Sequence, residues 1–376
     1  MIPPDQLVPP HLLGLRTYEP GLSAEHVKEH FGLERVAKLA SNENPLGTSP
    51  KAIECAQKAL SAMHRYPDGG LALRQRLAER FNMKVENVIT GSGSEGIMAN
   101  VVRTFLCDED EVLTTDAAFG GFQVLAKGRG VAYRTVPYRD WHYDLCALAD
   151  AITTKTKLIY LANPNNPTGT YFTRDEFEDF YGSVPERVLI ILDEAYFEFA
   201  AAQPTCPDSL HYRFDNVITL RTFSKVYGLA AARIGYGCAH ESLIAMLLKV
   251  KLPFEPSGLA TAAALGALED DAFLRATLEN NAAGLSYLTR ALRNLGVKVV
   301  PPAANFMMLE FQNAEESRQI FDGLLRRGVI VRPLASTGLP QCLRVSVGTP
   351  DENRMLVENL ESIMSELEVQ EYATTR

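Results

Sequence analysis

No stretch of the chain approaches the about 18 consecutive apolar residues that a membrane-crossing helix needs, so none is a candidate span. Basic clusters are missing as well. With a formal net charge of -9, nucleic acid is excluded as an expected partner. The six cysteines (55, 107, 146, 206, 238 and 342) are scattered, without a Cys-x-x-Cys spacing or neighbouring histidine pairs. That spacing offers neither a structural metal site nor a disulfide framework, and it suits a reducing compartment. Met1-Ile-Pro-Pro-Asp lacks the charged-then-apolar pattern of a secretory signal, so the expected location is cytoplasmic, with no metal and no membrane. Internal repeats and low-complexity tracts are also absent.

What remains is an ordinary globular composition, 46% hydrophobic and 22% charged over 376 residues, too long for one small core. Short apolar runs alternate with helical patterns through the middle of the chain. Val88-Ile-Thr, Glu111–Thr115, 131–136, 157–162, 187–192 and 217–220 read as strands, separated by helical spacing over 94–106, 121–127 and 173–181. Thr173 with Glu176 marks a capping box. Alternation on this scale predicts an α/β fold: βαβ units making a largely parallel sheet with helices on both faces. After Cys238 the pattern shifts to long helices and a few late strands, a smaller α+β domain. The expected division is a proline-rich N-terminal arm and packing segment over 1–45, a large domain over 46–265 and a small C-terminal domain over 266–376.

Four motifs carry the chemistry. Gly91-Ser-Gly93-Ser-Glu-Gly96 joins a strand to a helix, with Asp116 ending the next strand, which is the local grammar of dinucleotide binding. Its physics requires only an anion at a helix N-terminus, so one phosphate monoester satisfies it equally. Asn163-Pro-Asn-Asn-Pro-Thr-Gly169 puts Asn166 in a proline-fixed turn at the end of a buried strand. Asp193-Glu-Ala-Tyr196 places a carboxylate at the end of the most apolar strand, where it needs a partner. Ser224-Lys225, followed by Arg233, sets an amine and a guanidinium fork just past another strand, where open α/β sheets place ligands. A pyridinium nitrogen, a phenolate oxygen, an aldehyde carbon and a phosphate would each find a partner among these groups.

On these motifs, and from Tyr18-Glu-Pro-Gly through Leu343-Arg-Val-Ser-Val-Gly-Thr349, nearly the whole chain resembles the fold-type I pyridoxal-phosphate (PLP) aminotransferases, in their histidinol-phosphate aminotransferase branch. The resemblance implies a large domain with a mostly parallel seven-stranded sheet flanked by helices, and a Lys225 that bonds covalently to the cofactor aldehyde and shuttles the substrate proton. Asp193 would pair with the pyridine nitrogen, and Asn166 and Tyr196 with the phenolic oxygen. Gly93, Ser94 and Glu95 would present the helix terminus to the phosphate, with Thr222, Ser224 and Arg233 beside it and Phe119 stacked on the ring. Tyr66 would reach the cofactor phosphate of a second subunit, so a homodimer with shared sites is implied. Tyr18, Asn44, Arg332 and Arg344 would line the substrate end. The implied reaction is a two-stage, ping-pong transfer from a small-molecule amino donor, histidinol phosphate, to 2-oxoglutarate as the 2-oxo acid acceptor.

The chain also departs from that branch. Ala117-Ala118 precedes Phe119 where a proline and a small hydroxyl residue are common, Ser94 replaces an aspartate or asparagine, and Glu255-Pro256 stands near an expected asparagine. These changes bear on the substrate, and keep an aromatic amino-acid aminotransferase as the alternative. An NAD-dependent dehydrogenase built on Gly91, Gly93 and Gly96 is the alternative of another class. It leaves Lys225, Asp193, Tyr196 and Asn166 unexplained.

Overall fold

The structure, a computed structural model, describes residues 2–15, 21–212 and 214–374. The chain forms two compact units. One comprises Met1–Tyr18, Thr48–Asn166 and Tyr171–Leu274, the other Glu19–Gly47, Pro167–Thr170 and Arg275–Arg376.

Among the described residues, the first unit is built on a seven-stranded sheet. Its strands are β1 (Val88–Gly91), β2 (Glu111–Thr115), β3 (Ala132–Val136), β4 (Thr156–Ala162), β5 (Leu189–Asp193), β6 (Val217–Thr222) and β7 (Gly235–Cys238). Their order across the sheet is β1-β7-β6-β5-β4-β2-β3. Only β7 runs against its neighbours, antiparallel to both β1 and β6. The other pairs are parallel, as the alternating pattern predicts.

Strands in the middle of such a sheet are covered on both faces, which is why β5 is apolar up to Asp193 and both β5 and β6 are buried along their whole length. Successive side chains still point to opposite faces. Leu158 and Tyr160 join a cluster with Ile97, Met98 and Phe122, while Ile159 and Leu161 join Phe177, Ile190 and Leu192 on the other side. The Thr173–Glu176 capping box forms: the Glu176 amide donates to Thr173 Oγ1 at 3.3 Å, and the Thr173 amide to Glu176 Oε2 at 2.7 Å. A helix over Leu145–Asp150, not read from the sequence, starts where the Ala147 amide donates to Asp144 Oδ1 at 3.0 Å.

The second unit carries a four-stranded antiparallel sheet ordered Arg332–Pro333, Cys342–Ser346, Phe306–Glu310, Lys298–Val299. A parallel two-residue pair joins Ala37–Lys38 to Val329–Ile330. Its core gathers Leu39, Leu288, Leu292, Met307, Ile320, Leu324, Val345 and Leu360. The pairs at 37–38 and 332–333 span two residues each, too short for a period-2 pattern to reveal.

Candidate active site

Strand register brings the sequence motifs of the first unit to one edge. Gly91 pairs with Gly235, Gly235 with Thr222, and Asp193 lies between Leu220 and Ala162. Because β7 is reversed, its first residue lies beside the last residues of β1 and β6. Thus the turn after β1 (Gly93), the end of β5 (Asp193) and the bend after β6 (Ser224-Lys225) all open at the carboxyl edge of the parallel strands, where α/β sheets hold ligands.

The anion side is built from glycines. The helix Gly93–Phe105 starts with no side chain capping its free amides. Gly93 has φ +76, and a Cβ on it would stand 2.8 Å from Arg233 Nη2. A Cβ on Gly235 would lie 2.5 Å from the Ser94 nitrogen, so that strand approaches the helix start as only glycine can. Arg233, itself in the left-handed region at φ 51, donates from Nη1 to the Ala230 carbonyl at 3.2 Å, and its Nη2 is 3.8 Å from Glu95 Oε2. Thr222 Oγ1 donates to Ser224 Oγ at 3.0 Å and accepts from the Ser224 amide at 3.1 Å, which fixes the bend before Lys225. Uncapped amides, two hydroxyls and a guanidinium fork form a donor set for a phosphate.

The carboxylate side is buried. Asp193 is buried, and desolvation pushes its carboxyl up to about 6, opposed by hydrogen bonds from Tyr160 and the Ala195 amide and by the charge of Lys225. Tyr160 donates to Asp193 Oδ2 at 2.7 Å, and the Ala195 amide to Oδ1 at 3.2 Å. The Lys225 ammonium lies 5.6 Å from the centre of the buried Tyr196 ring. Asn166 is half-buried in the turn after β4, whose base is stapled where Asn163 Nδ2 donates to the Phe172 carbonyl and the Phe172 amide returns to Asn163 Oδ1 at 2.9 Å. Phe119 caps the helix Gly120–Arg129 just after Ala117, a strained residue at φ 48. A Cβ on Gly121 would meet the Phe119 ring at 2.6 Å and Glu95 Oε1 at 2.8 Å, so that ring lies beside the helix start.

Two features were missed in the sequence. Tyr160 looked like core because it sits inside an apolar strand. Arg221 follows the strand read over 217–220 and has no role in the sequence reading, yet it is buried, its Nε and Nη2 donating to Glu194 Oε2 at 2.9 and 2.7 Å and its Nη2 to Asp208 Oδ1 at 2.7 Å. Its position, one residue before Thr222 and opposite the residue after Asp193, was the available signal: an arginine inside a buried strand needs a carboxylate.

Tyr66 is 82% exposed and stacks on Phe254 with ring centroids 4.3 Å apart. In the second unit, Arg332 and Arg344 are direct cross-strand partners. Like charges directly opposite on one sheet face repel, unless an anion joins them. Among the described residues no carboxylate forms an ion pair with Arg332. Arg344 Nη2 donates to the Ala40 carbonyl at 2.7 Å, and its guanidinium stands 5.4 Å from the centre of the Phe306 ring. Asn44 donates to Thr277 Oγ1 at 3.1 Å and accepts from the Leu46 amide at 3.0 Å. Tyr18 lies outside the described residues.

Known proteins resemble the chain in sequence and in fold. A family model described as aminotransferase class I and II matches residues 34–360. Histidinol-phosphate aminotransferase 2 of Hydrogenovibrio crunogenus is 41% identical over 360 residues, covering 95% of this chain and 96% of that relative. Histidinol-phosphate aminotransferase of an Anaeromyxobacter species is also 41% identical, over 95% of this chain and 99% of its own. The crystal structure of histidinol-phosphate aminotransferase from Sinorhizobium meliloti in complex with pyridoxal-5'-phosphate superposes with a TM-score of 0.87 at 30% identity, covering 95% of this chain and 97% of that one. Aspartate aminotransferase from Thermus thermophilus shares the fold, with a TM-score of 0.82 at 21% identity over 95% of this chain and 99% of that one. By sequence, by fold and by the convergence of its motifs at one sheet edge, the chain belongs to the class I and II aminotransferases.

Proposed function

We propose that the protein is a PLP-dependent aminotransferase that moves the amino group of histidinol phosphate to 2-oxoglutarate in two half-reactions. The observation that carries this reading is the meeting of an amine, a buried carboxylate and a glycine-built anion cradle at one sheet edge. When bound, PLP supplies an electron sink for breaking the bond between the substrate Cα and its hydrogen. The residues present fit such a group. Gly93, Ser94 and Glu95 offer the helix start to its phosphate, flanked by Thr222, Ser224 and Arg233. Asp193 would pair with its ring nitrogen, Asn166 and Tyr196 with its phenolic oxygen, and Phe119 would lie beside the ring. Lys225 would provide the amine that holds it and the base that moves the proton to and from the substrate carbon.

Dinucleotide binding at Gly91, Gly93 and Gly96 has little to stand on. That fold needs β1 to lie parallel beside its next strands, whereas β1 is an edge strand against the antiparallel β7. The Ser92 amide, in the middle of the Gly91–Gly93 turn, already donates to Glu255 Oε1 at 3.0 Å.

For the substrate, the Arg332–Arg344 pair favours a doubly charged phosphate monoester, since an aromatic amino acid brings one carboxylate that a single arginine satisfies. The relatives named for histidinol phosphate support the same choice. Asn44 and Tyr18 complete the substrate end in this reading. Tyr66, exposed on its turn, completes the site of a second copy, making the working form a homodimer. Among the described residues no helix is long and apolar enough to cross a membrane, and water-soluble substrates suit a cytoplasmic location.

The test is direct. Purified protein given PLP and borohydride should carry the reduced cofactor on the peptide containing Lys225, and Lys225→Ala should carry none and be inactive. With 2-oxoglutarate as acceptor, kcat/KM for histidinol phosphate should exceed that for phenylalanine or tyrosine by roughly 10–100-fold, the worth of one or two charge-assisted hydrogen bonds. Absence of label on Lys225 sinks the cofactor reading, and a preference for phenylalanine sinks the substrate.

A further inference from the structure

Asp193 has a neighbour that no motif announces. From the middle of β4, the hydroxyl of Tyr160 donates to Asp193 Oδ2 at 2.7 Å. The tyrosine is fully buried, its ring stacks on Phe122 with centroids 4.3 Å apart and planes 12° from parallel, and its own carbonyl accepts from Thr114 Oγ1 at 2.7 Å. β4 and β5 are in parallel register, with Ala162 opposite Asp193, so the phenol reaches the carboxylate from two residues before the strand end. A phenol has one proton to donate, and here the carboxylate receives it.

We infer that Tyr160 is a positioning residue of the active site, whose hydroxyl fixes the Asp193 carboxylate in one orientation inside the sheet. This rests on the role proposed for Asp193 toward the ring nitrogen of PLP. Full burial within β4 prevents the ring from turning away, so the hydroxyl is held at the carboxylate before any ligand arrives. The groups around the carboxylate are Tyr160 from β4, Tyr143 from the segment before Leu145–Asp150, Glu194 next in the chain and Lys225 from the bend after β6. Burial and the Glu194 charge favour the neutral acid. Tyr160, the Ala195 amide and Lys225 favour the anion, and Tyr160 is the largest of these three. Removing the hydroxyl therefore moves the carboxyl titration upward, toward a neutral acid at working pH that cannot pair by charge with a protonated nitrogen.

Carbon-13 NMR of full-length protein labelled at the aspartate carboxyl reads this without turnover, with the Asp193 signal identified by its loss in Asp193→Asn. Tyr160→Phe should raise the titration midpoint by about one pH unit or more, as expected for one hydrogen bond to a buried carboxylate. With PLP and substrate, the acid limb of kcat/KM should move up with it. Phe122→Leu removes the stacking partner and keeps the hydroxyl. It should lower Tm without moving the midpoint, whereas a purely packing role would make the two variants alike. Should Tyr160→Phe fail to fold, replacing tyrosines with 3-fluorotyrosine, a more acidic and stronger donor, should lower the midpoint. An unmoved midpoint in the folded Phe variant, or in the fluorinated protein, overturns the inference. If instead Asp193→Asn keeps the parent kcat/KM, the role of Asp193 falls while the Tyr160 hydrogen bond and its effect on the titration stand.

Discussion

At Asp193 the function and the stability of the protein pull in opposite directions. Burial drives the carboxyl from 3.8 up to about 6, so the folded chain binds its proton more tightly than the unfolded chain does. The sign follows: an acid whose folded value is raised destabilises the fold once it must ionise, beginning above the ordinary value and complete above about 6. Protein stripped of PLP by dialysis should therefore lose stability relative to Asp193→Asn as pH rises from about 4 to 7, by at most about 3 kcal/mol. Urea denaturation of both proteins across that range checks it, and parallel pH profiles would show that Asp193 titrates like a solvated acid. The same variant should lose kcat/KM by several orders of magnitude, because an amide cannot hold a proton on the ring nitrogen by charge. A more stable, inactive variant is the expected signature of a residue kept for chemistry at the expense of the fold.

Among the strands, the residues that bond to the cofactor in the proposed site were legible while those that orient them were not. Asp193, Lys225 and Arg233 are polar groups at the ends of apolar runs, a contrast visible in one dimension. Tyr160 and Arg221 lie within the runs, and their meaning depends on which strand sits alongside. That is set by the order β6-β5-β4, which a single sequence does not state. The reversed β7 was hidden similarly, since Gly235–Cys238 is too short and glycine-rich to give a direction. Arg221 shows what such residues do. Its guanidinium ties Glu194, at the end of β5, to β6, and lies 3.7 Å from the centre of the Phe197 ring. The strand ends bearing Asp193 and Lys225 are thereby clamped. Arg221→Met should lower stability by about 3–5 kcal/mol, because it strands buried carboxylates. Adding Glu194→Leu should restore a large part, since the second change removes a charge that the first left unpaired. A double variant as unstable as the sum of the singles would show that no such coupling exists.

At the scale of the whole molecule, the proposed homodimer rests on Tyr66. Its turn, His64-Arg-Tyr-Pro-Asp-Gly-Gly, ends in Gly69 and Gly70, both at positive φ, and Asp68 accepts from the Gly70, Leu71 and Ala72 amides at 2.8, 3.2 and 3.1 Å. The turn is therefore firmly held, yet the aromatic ring it carries is 82% exposed against the half-exposed Phe254. A rigid turn presenting an amphipathic ring to water fits a residue meant for another copy of the chain, where the ring packs and the hydroxyl reaches an anion. In a two-fold dimer each copy would lend one Tyr66 and receive one. Tyr66→Ala alone should weaken PLP binding by roughly tenfold, the worth of one hydrogen bond to a charged group, and Lys225→Ala should be inactive. Mixed and allowed to exchange, the two variants form heterodimers in which one site combines the first variant's Lys225 with the second variant's Tyr66. At full exchange roughly a quarter of all sites would then be intact, so PLP-limited activity should rise above that of either variant alone. If exchange is verified by mass spectrometry and activity does not rise, Tyr66 serves its own chain and the shared site is refuted.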